Sequence, residues 1–231
     1  MTQMLIEDNS RARTSTTKRM IMIVDDHPIT REGIARRISS ESDMMVCCQA
    51  ESAQGALQLM EKQKLDLVLL DISLAESSGL DVLKDLRTRF PNLCTLILSM
   101  HEESLYAERA LRAGARGYIM KGASCEELIH AIRQVLAGDV YLSESMTKTA
   151  LARMGNGKRS PYTIEDLSDR ELEVFQLIGR GFGTREIATS LHLSVKTVAS
   201  HRENIKLKLN LRSSSALVQH AIHWAQTNQM I

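Results

Sequence analysis

Between Met20 and Leu142, five short apolar runs alternate with five stretches of helical periodicity, and few folds accept that alternation. The runs are IMIV (21–24), MMVCC (44–48), LDLVLL (65–70), CTLIL (94–98) and GYIM (117–120). Strands that are apolar at nearly every position are buried on both faces, the condition of a parallel sheet covered by helices. Helical patterns occupy 28–40, 53–63, 77–89, 104–113 and 125–137. Five β-then-α units predict an open, doubly wound α/β domain with a five-stranded parallel sheet. Boundary signals agree: Ser124 and Glu127 have capping-box spacing, and Gly114 and Gly138 follow helices.

After Leu142 the strands stop. Residues 143–164 contain Met-Gly-Asn-Gly, Lys-Arg and Ser-Pro and read as a linker with one short helical stretch before Gly155. Four short helices follow. Ser168 and Glu171 form a capping box for a helix to about 178, Thr184 caps a second to about 191, Ser194 caps a third to about 209, and the last spans about 214–227. Residues 1–19, polar and rich in Ser, Thr and Arg, read as a mobile tail. The expected organisation is therefore a tail (1–19), an α/β domain (20–142), a linker (143–164) and a small all-α domain (165–231).

Composition narrows the function. The apolar runs are too short to span a bilayer, and no signal-type stretch opens the chain, so a cytoplasmic protein is expected. Cys47, Cys48, Cys94 and Cys125 form no CxxC and read as reduced thiols. Aromatics at 3% are too scarce for single-strand or RNA recognition by stacking. Charge is unevenly placed: 20–142 holds 13 Lys and Arg against 18 Asp and Glu, whereas 195–212 holds five basic residues against Glu203 alone. An acidic half joined to a basic stripe points to two domains with different partners.

Loops at the carboxyl ends of parallel strands converge on one crevice. This chain puts Asp25 and Asp26 after the first strand, Asp71 after the third, Ser99 after the fourth and Lys121 after the fifth. Three carboxylates together repel, and a hard divalent cation with oxygen ligands, Mg²⁺, relieves that repulsion. A carboxylate nucleophile, a cation, a lysine and a hydroxyl are the parts phosphoryl transfer needs. A single Asp at a strand end is usually a turn or cap residue; this combination at four strand ends is not.

The segments IMIVDDHP, LVLLDISLAESSGLD, LILSMH and ARGYIMKGAS resemble the receiver domain of bacterial two-component response regulators, a flavodoxin-like fold, over about 20–142. The resemblance implies that Asp71 is the phosphoacceptor and that Asp25, Asp26, Asp71 and the backbone carbonyl of Ser73 hold Mg²⁺. It makes Ser99 the switch hydroxyl and Tyr118 the switch aromatic, and pairs Lys121 with the phosphoryl oxygens. His27, beside the acidic pair, is left outside the metal set. Gly122 stands where many receivers have proline, which excludes a cis-proline there.

In the second domain, the 184–191 helix, a four-residue turn and the 194–209 helix have helix-turn-helix spacing. Val198, Ile205 and Leu209 form a core-facing stripe, while Lys196, Thr197, Ser200, Arg202, Asn204, Lys206 and Lys208 lie around the rest. Such a helix can enter the major groove. The sequence from LSDRELEVFQLIG to LKLNLRS resembles the LuxR-type helix-turn-helix, with Glu171, Gly181, Glu186, Lys196, Thr197, His201 and Lys208 at matching positions. Ala199 and Leu207 depart from the usual pattern of charged and polar residues.

The whole chain is thus similar to NarL/FixJ-type response regulators. That resemblance implies a phosphorylation-controlled transcription regulator, with a sensor histidine kinase and double-stranded DNA as partners and a homodimer when phosphorylated. It implies no enzyme activity beyond self-phosphorylation and self-dephosphorylation at Asp71. The competing reading, a Mg²⁺-dependent phosphatase with an aspartyl-phosphate intermediate, expects two aspartates separated by one residue and a cap domain; Asp25 and Asp26 are adjacent, and no cap is left in the chain. The opposite local charges also predict that the resting receiver contacts the 195–212 stripe and masks it.

Overall fold

The computed structural model describes residues 18–74, 77–148 and 162–227. The tail up to 17, the centre of the linker and the last four residues lie outside the described residues. Five strands, β1 (Arg19–Val24), β2 (Met44–Ala50), β3 (Leu67–Asp71), β4 (Cys94–Ser99) and β5 (Gly117–Met120), form one parallel sheet in the order β2-β1-β3-β4-β5. Between them run α1 (Pro28–Ser39), α2 (Ala53–Met60), α3 (Gly79–Arg89), α4 (Glu103–Ala113) and α5 (Cys125–Leu136).

Alternation along the buried strands decides which helices cover which face. Met22, Val24, Val68, Leu70 and Ile97 pack with α2, α3 and α4. Ile21, Ile23, Leu67, Leu69, Leu96 and Leu98 pack with α1 and α5 on the other face. Every residue of β3 is buried, which explains its unbroken apolar run. That strand starts at Leu67, two residues later than its apolar run; just before it, Asp66 N donates to the Met20 carbonyl at 2.9 Å while its carboxylate, not its backbone carbonyl, accepts from Met20 N at 2.7 Å. A bulge in the edge strand β2 leaves Cys47 unpaired between Val46 and Cys48 and sets the two sulfurs 3.6 Å apart. All four cysteines are free thiols, and burial with the neighbouring Cys47 pushes Cys48 up to about 12.

Helix ends follow local chemistry. Gly114 closes α4 at φ 118°, a region open to glycine. Ser124 caps α5 through Glu127 N, but the reciprocal half of the expected box is absent because the Glu127 carboxylate accepts from Tyr141 Oη at 3.0 Å. A two-residue antiparallel ladder, Ser73–Leu74 with Ser77–Ser78, stands between β3 and α3. Residues 144–148 are helical.

Beyond a 3₁₀ turn at Ile164–Asp166 come α6 (Asp169–Gly179), α7 (Thr184–Ser190), α8 (Val195–Lys208) and α9 (Ser214–Thr227). Their shared core includes Leu172, Phe175, Ile178, Ile187, Val198, Ile205 and Leu217. Ser168 and Glu171 make the full capping box of α6, and Ser194 caps α8. Thr184 is not a cap: Gly183 takes that position, and its N–H donates to the Glu186 carboxylate at 2.7 Å.

The two units meet through α3 and α4 on one side and 164–176 on the other. Arg109 donates to the carbonyls of Leu167, Ile164 and Glu165 and pairs with Asp169 at 3.2 Å, and Lys84 also pairs with Asp169. Tyr106 Oη donates to Gln176 Oε1 at 3.0 Å. The expected contact with the 195–212 stripe is not the one formed: among the described residues, no hydrogen bond or ion pair joins α8 to the receiver. Backbone carbonyls and one carboxylate take the receiver's cations, so α8 is left open.

Helix α6 closes on α9 at Gly179, where a Cβ would lie 2.7 Å from the Ala221 carbonyl oxygen. Gly179→Val is expected to destabilise this domain by about 1–3 kcal/mol through overpacking. Urea unfolding followed by the fluorescence of Trp224, the single tryptophan, measures it; an unchanged midpoint would mean the helices part without strain.

Candidate functional site

Asp71 closes β3, Ser99 closes β4, and Asp25 and Lys121 follow β1 and β5 directly. The strands are in parallel register, so these residues meet at one edge: Val24 pairs with Leu70, and Asp71 with Leu98. Asp25 and Asp71 are each 1% exposed, and Ser99 is fully buried. Lys121 Nζ lies 2.7 Å from both Asp25 Oδ2 and Asp71 Oδ2. His27 N donates to Asp25 Oδ1 at 2.8 Å, and Ser73 N donates to Asp71 Oδ1 at 2.9 Å.

Burial pushes Asp71 above its ordinary value, against the opposing pull of Lys121 and of the Ser73 N–H. Lys121 is raised: burial alone would lower it, but Asp25 and Asp71 outweigh that. The lysine is therefore a fixed cation, while Asp71 holds its charge at a cost.

Asp25, Asp26, His27 and Asp71 offer ligand atoms within 4.8 Å of one another. Asp25 Oδ2 and Asp26 Oδ1 are buried without a hydrogen bond; Lys121 and His27 approach them by charge, not with hydrogen-bond geometry. Oxygen atoms buried in this way fit a hard divalent cation. His27 Nδ1 lies 2.6 Å from Asp26 Oδ1, but its side chain is 64% exposed, on the rim of the cluster.

Ser99 Oγ accepts from His101 N at 3.0 Å. Tyr118 is fully buried and donates to the His101 carbonyl at 2.7 Å. The chain has no cis peptide among the described residues, in line with Gly122 after Lys121. Sequence reasoning missed Gly79. A Cβ there would lie 2.4 Å from the Asp71 carbonyl oxygen, so only glycine lets α3 begin against the end of β3. A glycine eight residues beyond the acceptor candidate was the available signal.

In α8, Lys196, Thr197, Ser200 and Asn204 lie exposed on one face at helical spacing, with Arg202 and Lys206 half-buried at its border. Leu207 shares the outer face and is 76% exposed. Two further expected contacts lie beside Glu171. Lys208 Nζ lies 2.6 Å from Glu171 Oε2, an acidic side chain buried in the α6 capping box. His201 faces the same group: its Nδ1 is buried without a partner, and burial lowers its pKa. Seven residues separate them, two helical turns, which puts both on the side of α8 that meets Glu171, with the Lys208 side chain still 40% exposed.

The receiver pattern of response regulators matches residues 21–133, and that of the luxR family of bacterial regulatory proteins matches 165–221. "Oxygen regulatory protein NreC" of Staphylococcus carnosus is 37% identical over 210 residues, covering 87% of this chain and 96% of that protein. The chain is a two-component response regulator of the NarL/FixJ type. NreC of Staphylococcus haemolyticus is 36% identical over the same share of both chains. A LuxR-family response regulator from Aurantimonas sp. SI85-9A1 is 34% identical, with a TM-score of 0.56 over 60% of this chain and 99% of its own. RcsB from Salmonella enterica serovar Typhimurium, bound to promoter rprA with the phosphomimetic BeF3⁻, shares the fold: TM-score 0.63, 24% identity, 88% of this chain and 98% of that one. The response regulator thus joins a flavodoxin-like receiver to a LuxR-type DNA-binding domain. No helix among its described residues is long and apolar enough to cross a membrane.

The raised pKa of Asp71 has a consequence for stability. A carboxyl raised on folding adds stability that is fully present below the ordinary carboxylate range and lost as pH rises through its folded value. Asp71→Asn is therefore expected to raise Tm at pH 7, and the gain should shrink as pH falls into the range where Asp71 is protonated. Thermal melts from pH 4 to 8 check this; a Tm loss at pH 7 would refute it.

Proposed function

We propose that this response regulator takes a phosphoryl group on Asp71 from a partner sensor histidine kinase and thereby switches its dimerisation and its binding to double-stranded DNA. The reading rests on one observation: a buried carboxylate, Asp71, lies 2.7 Å from a buried lysine and beside two buried carboxylate oxygens that are approached by charge but make no hydrogen bond. An Asp71 oxygen forms a bond to phosphorus as the bond from phosphorus to the donor's leaving group breaks. Lys121 neutralises charge on the phosphoryl oxygens, and the Ser73 N–H keeps the attacking carboxylate oriented. Asp25, Asp26, Asp71 and the Ser73 carbonyl would hold Mg²⁺, which supplies further neutralisation of the phosphoryl oxygens when bound. Ser99 and Tyr118 are the switch pair. The same pocket admits water for self-dephosphorylation, and no other turnover is assigned to the chain.

The receiver occupies 20–142, the linker 143–164 and the DNA-binding domain 165–231, in a protein that works in the cytoplasm. Lys196, Thr197, Ser200 and Asn204 face the major groove, with Arg202 and Lys206 reaching the flanking phosphates. Lys208 and His201, on the side of α8 that meets Glu171, hold the helix against α6.

Acetyl phosphate with Mg²⁺ should label the native protein and not Asp71→Asn; undiminished labelling of the variant would remove Asp71 from the role. Asp26→Ala should keep a slower reaction with weaker Mg²⁺ affinity, and equal affinity in both proteins would take Asp26 out of the metal set.

Lys196→Ala should weaken DNA binding. If the lysine contacts phosphate, the loss is similar on specific and random duplexes, and the salt slope falls by about one. If it reads a base, the loss of roughly 1–3 kcal/mol falls on the specific site. Fluorescence anisotropy across a salt series separates the two, and no loss on either duplex would take α8 out of the groove.

A further inference from the structure

His101 lies two residues beyond Ser99 and touches both the acceptor pocket and the domain interface. Its N–H donates to Ser99 Oγ at 3.0 Å, and its carbonyl accepts from Tyr118 Oη at 2.7 Å. Its Nε2 lies 2.9 Å from the hydroxyl of Ser73, whose own N–H donates to Asp71. On the other side its ring stacks on Tyr106, with centroids 4.7 Å apart. Tyr106 is fully buried, and its hydroxyl donates to Gln176 Oε1 at 3.0 Å. Gln176 belongs to α6, the first full helix of the DNA-binding domain. An unbroken series of contacts thus runs from the acceptor carboxylate to the docked domain.

The far end of that series is weakly held. Gln176 is 4% exposed, yet its Nε2 has no hydrogen-bond partner. An unpaired buried donor is unfavourable, so docking at this point depends on the single Tyr106 bond. The near end is anchored on groups that a phosphoryl group engages. The Ser99 hydroxyl, now an acceptor for His101, becomes a donor when phosphoryl oxygens stand beside it. Ser73 is tied to Asp71 through its N–H.

We propose that His101 is a positioning residue that carries occupancy of the aspartyl pocket to the DNA-binding domain, acting through Tyr106 on Gln176. The proposal rests on Asp71 as phosphoacceptor. When Ser99 and Ser73 turn to the phosphoryl group, His101 loses both side anchors, its ring shifts beneath Tyr106, and the Tyr106 bond to Gln176 opens. The docked and undocked states then differ in contacts that phosphorylation biases, as a population shift requires. Because α8 is already open in the docked state, the device frees the domain to reorient and does not uncover a masked helix.

The test is hydrogen exchange by mass spectrometry over 162–180 in the full chain, with and without acetyl phosphate and Mg²⁺, the labelled fraction being read from intact mass. His101→Phe keeps a ring against Tyr106 and deletes the Ser73 bond. It should exchange like the native protein at rest and still label at Asp71, but lose at least fivefold of the increase that phosphorylation causes. Tyr106→Phe keeps the stack and deletes the hydroxyl. It should exchange about fivefold faster without phosphorylation, the factor equivalent to about 1 kcal/mol for one hydrogen bond, and bind a duplex more tightly unlabelled. A native-like response in His101→Phe overturns the proposal. So does a His101→Phe protein that takes no label, since His101 would then serve the acceptor chemistry itself, and so does unchanged resting exchange in Tyr106→Phe. Label that survives Asp71→Asn overturns the acceptor assignment instead, and the Tyr106→Phe arm, read without phosphate, still decides the docking contact.

Discussion

The ion pairs between Lys121 and two buried carboxylates are the contact on which the rest of this structure depends. Asp25 and Asp71 are each 1% exposed, and the lysine side chain is 7% exposed. Burying that much charge is unfavourable, and a buried pair rarely repays its desolvation. The parallel sheet makes the arrangement possible, because its strands all deliver their carboxyl ends to one edge. The same sheet, buried on both faces, supplies the hydrophobic stabilisation that tolerates the charge. The raised pKa of Asp71 records the imbalance: burial outweighs the lysine. Stability is given up at the pocket proposed for phosphoryl transfer.

The second domain handles Glu171, its one buried charged residue among the described residues, the opposite way. Glu171 is 4% exposed, but it accepts from Ser168 N and pairs with Lys208, and its pKa falls below the ordinary value although burial alone would raise it. The pair joins the start of α6 to the end of α8 and fixes the angle at which α8 presents its outer face. Glu171 is held by hydrogen bonds and one ion pair, whereas in the receiver Asp25 Oδ2 and Asp26 Oδ1 are buried against cations without hydrogen-bond geometry.

Between the two domains, complementary charge works at short range. Arg109 takes three backbone carbonyls and one carboxylate, a fork that suits the planar guanidinium. Lys84 adds a second pair to Asp169. Net domain charge predicted a different contact, acidic receiver on basic helix. Charge balance alone carries no direction, and the backbone carbonyls of Ile164, Glu165 and Leu167 with the Asp169 carboxylate take the receiver's cations at short range.

The α/β alternation, the strand ends and the convergence of the site residues were legible in the sequence because each has a local cause. Consecutive apolar residues declare a strand buried on both faces, and a parallel sheet has one carboxyl edge, so Asp25, Asp71, Ser99 and Lys121 had to converge. Capping residues such as Ser168 and Ser194 act within four positions and were equally readable. Tertiary structure alone decided what depends on distant neighbours. Gly79 is required by the Asp71 carbonyl, Lys208 turns to Glu171, and Thr184 yields its cap to Gly183. Tyr106 meets Gln176 across 70 residues, and His101 joins them to the pocket around Asp71. Periodicity says which face of a helix is apolar, but only packing says which polar group waits on the other side.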